Sequence, residues 1–125
     1  MRAVRDVLLP SDDPVVHGHR IRSLEGGGMT LAVQIEGRDD APAVVLLHAI
    51  ATSSKLWAPQ VAPLAADFRV IRVDLPGHGA SPLLPGCADY ESYADAVVSA
   101  LADRGIDKFV LVGLSFGAMV AMQIA

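Results

Sequence analysis

A single cysteine, Cys87, is all the thiol chemistry in the chain, so no intrachain disulfide can staple it. No histidine–carboxylate context surrounds Cys87, which reads as a small loop or satellite-core side chain. Aromatic residues are scarce at 5%, while hydrophobic residues reach 52% and are mostly Ala, Val and Leu. That balance suits buried parallel strands with helices packed on both faces. Lysine is nearly missing: Lys55 and Lys108 are the two present, and the net charge is −4 with no basic block. Nucleic acid and anionic membrane surfaces are therefore not expected as partners. Met1 to Pro14 contains Asp6, Asp12 and Asp13 and lacks a long apolar core. It does not read as a secretory signal, and a cytoplasmic location is the default expectation.

Metal and cofactor spacings are also missing. His17 and His19 form an H-x-H, but in a polar stretch without a further ligand nearby; no zinc or calcium spacing appears, and no cofactor is expected. Gly77-x-Gly79 follows a predicted strand, yet Pro82 stands where a dinucleotide-binding fingerprint needs its third glycine, and a loop follows in place of a helix. Phe109 to Ala125 is seventeen residues without a charge and includes Gly113-x-x-x-Gly117, near the lower limit for a membrane span. The run divides into a β-rich half and an Ala/Met-rich half, and Asp107 and Lys108 flank it, so a strand followed by a helix is the better reading.

At 125 residues the chain can bury one modest core. Residues 1–20 read as a weakly structured lead-in. Ile21 to Leu24 and Met29 to Glu36 read as an antiparallel hairpin turning at Gly26-Gly27-Gly28. Ala43 to Leu47 is a continuous apolar run expected to be a buried central strand. After a loop carrying Thr52, Ser53 and Ser54, a short helix is expected from about Trp57 to Ala66, with Pro59 tolerated in its first turn and Pro63 limiting it. Arg69 to Asp74 is the next strand, followed by a Gly/Pro-rich excursion to about Ala88. A helix is predicted over Tyr90 to Arg104, with Asp89 as N-cap and Gly105 as stop. Its apolar face carries Tyr90, Tyr93, Ala94, Val97, Val98 and Leu101; Glu91, Asp95, Ser99 and Asp103 fall elsewhere. Lys108 to Leu114 is the last strand, and an apolar helix follows. The order predicts an α/β fold with a mostly parallel sheet, helical crossovers and an antiparallel N-terminal hairpin.

The most informative string is Gly113-Leu114-Ser115-Phe116-Gly117. G-x-S-x-G alone is weak, but here it ends a predicted strand and opens a predicted helix, which is the context of a nucleophile elbow. Ser115 is the candidate nucleophile for acyl transfer; a plain helix N-cap serine is the alternative. A serine hydroxyl needs an adjacent base, usually a histidine oriented by a carboxylate. Backbone N–H donors must also receive the oxyanion of the tetrahedral intermediate. One is expected from Phe116, the other from the loop His48-Ala49-Ile50-Ala51.

Three blocks together resemble the N-terminal part of the α/β-hydrolase family. They are Leu46-Leu47-His48-Ala49-Ile50, Asp74-Leu75-Pro76-Gly77-His78-Gly79-Ala80-Ser81 and Gly113-Leu114-Ser115-Phe116-Gly117. Ala51 to Gln60, with Arg69 to Ser81, is similar to 3-oxoadipate enol-lactonase-like members. The resemblance implies Ser115 as nucleophile, the backbone N–H groups of Ile50 and Phe116 as the oxyanion hole, no cofactor and no metal. Residues 21–125 would then be an incomplete domain of this fold, ending in the helix after the elbow. His48 would open the family's His-Gly motif, whose glycine is Ala49 here, and the glycine pair after the elbow is Gly117-Ala118. His78 is expected to be structural and Asp74 to brace its turn, because in this fold the acid and base follow the serine. No Asp, Glu or His follows Ser115. An epoxide hydrolase or dehalogenase would be expected to place Asp at the elbow.

Two functions follow as expectations. One is a serine hydrolase acting on a small-molecule ester, thioester or lactone, present as a fragment that lacks its acid and base. The other is a non-catalytic truncated remnant, unstable or held by a partner through the exposed edge of the Lys108 to Leu114 strand. The discriminating feature is the abrupt apolar end at Gln123-Ile124-Ala125, without charged or C-capping residues, an end that a natural small domain would rarely have. The sequence sets no oligomeric state.

Overall fold

The computed structural model describes the backbone at residues 2–8, 15–16 and 19–20, and backbone and side chains over residues 30–125. Its strands are β1 (Arg2–Leu8), β2 (Val15–Val16), β3 (His19–Arg20), β4 (Val33–Glu36), β5 (Ala43–Leu47), β6 (Arg69–Val73) and β7 (Lys108–Leu114). Its helices are α1 (Ala58–Ala65), entered through a 3-10 turn at Ser54–Trp57, α2 (Tyr90–Ala102) and α3 (Phe116–Ile124). The main sheet runs in the order β1, β7, β5, β6, β4.

β5 lies at the centre, parallel to β6 on one side and to β7 on the other. Its continuous apolar run Ala-Val-Val-Leu-Leu suits a strand buried on both faces. Alternate residues sort between two cores. Val45, Leu47, Ile71, Val73 and Leu111 pack with α2 and α3. Val44, Leu46 and Val70 pack with Trp57 and Val61 of the α1 side. The crossover β5–α1–β6 therefore covers one face and β6–α2–β7 the other. Val110, Val112 and Leu114 stay half-buried on the α1 face.

α2 begins with Asp89, whose carboxylate accepts the Ser92 N–H at 2.8 Å while the Ser92 hydroxyl accepts the Asp89 N–H at 3.2 Å. Just beyond the helix, Gly105 takes φ +70°. Ser99, expected off the apolar face, is buried at 8% exposure. α2 packs against α3 as well as the sheet, so its covered surface is wider than an apolar stripe of three to four residues per two turns. The uncharged run Phe109 to Ala125 is divided between β7 and α3, and among the described residues no helix is long and apolar enough to cross a membrane.

The N-terminal region departs from expectation. In place of a weakly structured lead-in, Arg2–Leu8 pairs antiparallel with the whole of β7, from Arg2 opposite Leu114 to Leu8 opposite Lys108. This corrects the expectation of an exposed β7 edge: its backbone donors and acceptors have a partner strand, and pairing an open edge satisfies groups that burial would otherwise leave orphaned. A second, two-residue ladder joins β2 and β3. Of the expected hairpin, residues 21–24 and the glycine turn lie outside the described residues. Its later half appears as β4, which begins at Val33 and pairs antiparallel with β6.

Candidate active site

Strand register brings the expected residues to one end of the sheet. Leu47 is level with Val73 on one side and Gly113 on the other. The residues that follow, His48, Asp74 and Leu114-Ser115, therefore leave the sheet side by side. The chain departs from β5 toward β6 on one side and reaches β7 on the other, which makes this carboxyl end a topological switch point where open α/β sheets hold ligands.

Ser115 makes the turn from β7 into α3 at φ 53°, ψ −114°. That combination is strained for any residue with a Cβ. The residue is exposed. Its carbonyl accepts the N–H groups of Ala118 and Met119 at 2.9 and 3.1 Å. Its side chain makes no capping hydrogen bond, unlike Asp89, so the hydroxyl is not spent on the helix end. The flanking glycines are dictated by contact. A Cβ on Gly113 would lie 2.6 Å from the Ala118 backbone, and one on Gly117 would reach the carbonyl oxygens of Leu47 and His48. The first turn of α3 therefore lies directly against the end of β5. The Phe116 ring is held by Tyr90 and Tyr93 of α2, the latter edge-on with centroids 5.2 Å apart.

The loop after β5 carries Ile50, whose residue is 59% exposed, and then Ala51 in the left-handed region at φ 59°. Among the described residues the Ile50 N–H has no hydrogen-bond acceptor. Phe116, as the first residue of α3, has no intrahelical acceptor for its N–H either. Contact of Gly117 with the Leu47 and His48 carbonyls brings the segments bearing these two amides together.

His48 is fully buried. Its Nε2 accepts the Leu75 N–H at 2.9 Å and its Nδ1–H donates to the Ala49 carbonyl at 2.8 Å, so the partners assign the neutral Nδ1–H tautomer. Burial holds its pKa below the ordinary histidine range. His78 is bound the same way: Nε2 accepts the Ala51 N–H at 3.1 Å and Nδ1 lies 3.0 Å from the Pro76 carbonyl. Both ring nitrogens are taken by backbone, so this ring is in no position to serve as a general base.

Asp74 is buried and braces the turn that follows it. Its two carboxylate oxygens accept the N–H groups of Ser54 at 2.7 Å and Ala80 at 3.1 Å. Burial pushes its pKa up, and the hydrogen bonds from Ser54 and Ala80 outweigh that and leave it below the usual carboxylate range. Gly79, at φ 53°, leaves the space: a Cβ there would meet the Asp74 carboxylate at 2.5 Å. The Ser81 hydroxyl donates to the Asp74 carbonyl and accepts the Ala32 N–H at 2.8 Å, extending the brace to the segment before β4.

Ser115, Phe116 and Ile50 thus fall at one end of the sheet, as their motifs led one to expect. What sequence reasoning passed over is the support: Thr52, Ser54 and the left-handed Ala51. The only sequence signal for them was the Thr52-Ser53-Ser54 cluster, which marks a loop but not its bonds. A cavity of about 660 Å³ lies at the opposite end of the strands, lined by Asp40, Arg69, Asp107 and Lys108 among others. It is separate from Ser115 by the length of β7.

Residues 42–125, more than half of the chain, match the family described as alpha/beta hydrolase fold. The chain is 34% identical over 104 residues to 3-oxoadipate enol-lactonase 1 of Acinetobacter baylyi, covering 83% of this chain and 39% of that protein. It is 41% identical over 99 residues to the pimeloyl-(acyl-carrier protein) methyl ester esterase of Methylococcus capsulatus, covering 78% and 35%. The crystal structure of the enol-lactonase from Burkholderia xenovorans superposes with a TM-score of 0.69 at 35% identity, over 72% of this chain and 35% of that one. The chain spans less than two fifths of the length of each of these proteins.

Proposed function

The chain belongs to the α/β-hydrolase fold family, and from that membership we propose that it is the nucleophile-bearing portion of a serine hydrolase acting on a carboxylic ester, thioester or lactone. The observation that carries the reading is Ser115 itself: an exposed hydroxyl, unused by the helix it precedes, on a strained strand-to-helix turn. In this reading Ser115 Oγ attacks the acyl carbonyl. The Ile50 and Phe116 N–H groups receive the charge that develops on the carbonyl oxygen, aided by the positive end of α3. Collapse expels the alcohol, thiol or lactone oxygen and leaves an acyl-serine, which water then hydrolyses. The hydroxyl proton needs a base and that base an acid. His48, His78 and Asp74 are committed to backbone, and no Asp, Glu or His follows Ser115. The acid and base are therefore assigned to residues outside these 125. A lactone is supported as substrate by the enol-lactonase relatives and a linear ester by the esterase relative.

The test begins with the intact mass of the protein from its native source. A mass well above 13.1 kDa, with ester or lactone hydrolysis abolished in Ser115→Ala, is the expected result. The 125-residue chain alone is expected to show negligible hydrolysis of p-nitrophenyl acetate, with no difference in Ser115→Ala. Hydrolysis that survives Ser115→Ala in the native-length protein would overturn the nucleophile assignment. Turnover by the 125-residue chain that is lost in Ser115→Ala would overturn the placement of acid and base outside it.

A further inference from the structure

The loop after β5 is gripped at two successive peptides. The Ala49 carbonyl receives three donors: His48 Nδ1–H at 2.8 Å, the Thr52 hydroxyl at 2.5 Å and the Thr52 N–H at 3.3 Å. Thr52 Oγ1 also lies 3.3 Å from His48 Nδ1, so the hydroxyl and the ring brace each other. The Ala49 carbonyl and the Ile50 N–H belong to one planar trans peptide and point in opposite directions. Holding the carbonyl inward therefore turns the Ile50 N–H outward. The next amide, Ala51 N–H, is captured by His78 Nε2 at 3.1 Å. Ala51 holds φ 59°, a conformation that persists only where its surroundings impose it. His48 is anchored in turn by the Leu75 N–H, and the two rings lie 5.2 Å apart.

We propose that His48, Thr52 and His78 are positioning residues that aim the Ile50 amide at the substrate oxyanion and hold the neighbouring Ala51 amide away from it. The proposal rests on the reading of Ile50 N–H as an oxyanion donor. It assigns the histidine of the Gly-His-Gly turn a task beyond that turn: its Nε2 accepts from the loop of a different strand, 27 residues earlier.

The experiment uses the ¹⁵N-labelled protein at its native length, acid and base included, with two readouts. The first is amide exchange and chemical shift at Ile50 and Ala51. His78→Leu removes the acceptor and should raise Ala51 exchange about tenfold, the loss of one hydrogen bond. His78→Gln, which returns an acceptor near the Nε2 position, should restore protection. Thr52→Val should shift the Ile50 amide and leave Ala51 protected. The second readout is affinity for phenylboronic acid, whose boron takes the Ser115 oxygen to form a tetrahedral anion while the hydroxyl proton passes to the base. Its binding should be lost in Ser115→Ala, weakened about tenfold in His78→Leu and Thr52→Val, and near wild type in His78→Gln. Unchanged Ala51 exchange in His78→Leu would overturn the clamp. Altered exchange with unaltered boronate affinity, while Ser115→Ala still abolishes binding, would overturn the aiming role and the Ile50 assignment but leave Ser115 as nucleophile. Wild-type protein of native length that takes no boronate overturns the oxyanion role outright. Should His78→Leu not fold, the contrast between His78→Gln and Thr52→Val decides.

Discussion

Replacing Ser115 by glycine should stabilise the chain, and replacing it by alanine should not. At φ 53°, ψ −114° a residue with a Cβ is strained by about 1–3 kcal/mol, whereas glycine is at ease there. Glycine also gives the unfolded chain more freedom, which offsets about 0.5–1 kcal/mol of the gain. The net expectation is a Ser115→Gly chain more stable by roughly 0.5–2 kcal/mol. Alanine keeps the Cβ and the strain. It removes an exposed hydroxyl that makes no capping bond, so its stability should stay within about 0.5 kcal/mol of wild type. Urea unfolding followed by circular dichroism reads the difference. With a slope of about 1–3 kcal/mol per molar, the glycine variant's midpoint should rise by about 0.2 to 2 M. A glycine variant no more stable than the alanine variant would refute the strain argument, and with it the claim that the fold holds Ser115 upright at a cost.

Gly117→Ala sets two effects of opposite sign against each other. Helix propensity alone favours alanine by about 1 kcal/mol, but a Cβ there would strike two carbonyls of the central strand, and such overpacking costs about 3 kcal/mol. A net loss near 2 kcal/mol in urea unfolding is expected, and a more stable variant would mean that α3 does not rest on the end of β5. Asp74→Ala leaves the Ser54 and Ala80 N–H groups without their acceptor and should cost about 2–5 kcal/mol; Asp74→Asn, which keeps one oxygen, should cost less. Stability should also fall in mild acid. Burial holds the His48 pKa below 6.5, so between that lowered value and 6.5 the unfolded chain binds more protons than the native one. This contribution is complete above about pH 6.5 and declines as pH falls, by at most about 1.4 kcal/mol per unit. Asp74 acts in a lower window: its folded pKa lies below 3.8, so its contribution is lost only as pH falls from there through that folded value. Unfolding curves at pH 7 and 5.5 separate the two, and equal stability at both would count against a neutral buried His48.

Local pattern made much of the fold legible. Ala43–Leu47 and Lys108–Leu114 were expected to the residue, because each is an apolar run with a clear boundary: Pro42 and His48 around the first, Asp107 and the elbow around the second. The start of α2 was written in Asp89, whose side chain caps the helix it precedes. Ser99 escaped because burial on α2 depends on its neighbours in the fold, which the helix's own period does not describe. The pairing of Arg2–Leu8 with β7 escaped for the same reason, since a short strand carries no label naming its partner.

By itself the sequence determined the order of the elements from β4 onward, the parallel core and the serine at the strand-to-helix turn. Each of these is set by neighbours within a few residues: apolar periodicity, a cap, two glycines around a sharp bend. Only the tertiary structure decided how the end of the sheet is held. Ala51 reaches His78 across 27 residues, Ser54 reaches Asp74 across 20 and Ala32 reaches Ser81 across 49. Those bonds join loops that become neighbours only after β5, β6 and β7 align their ends. A hydrogen bond depends on distance and direction in space, and sequence spacing fixes neither until the sheet has formed.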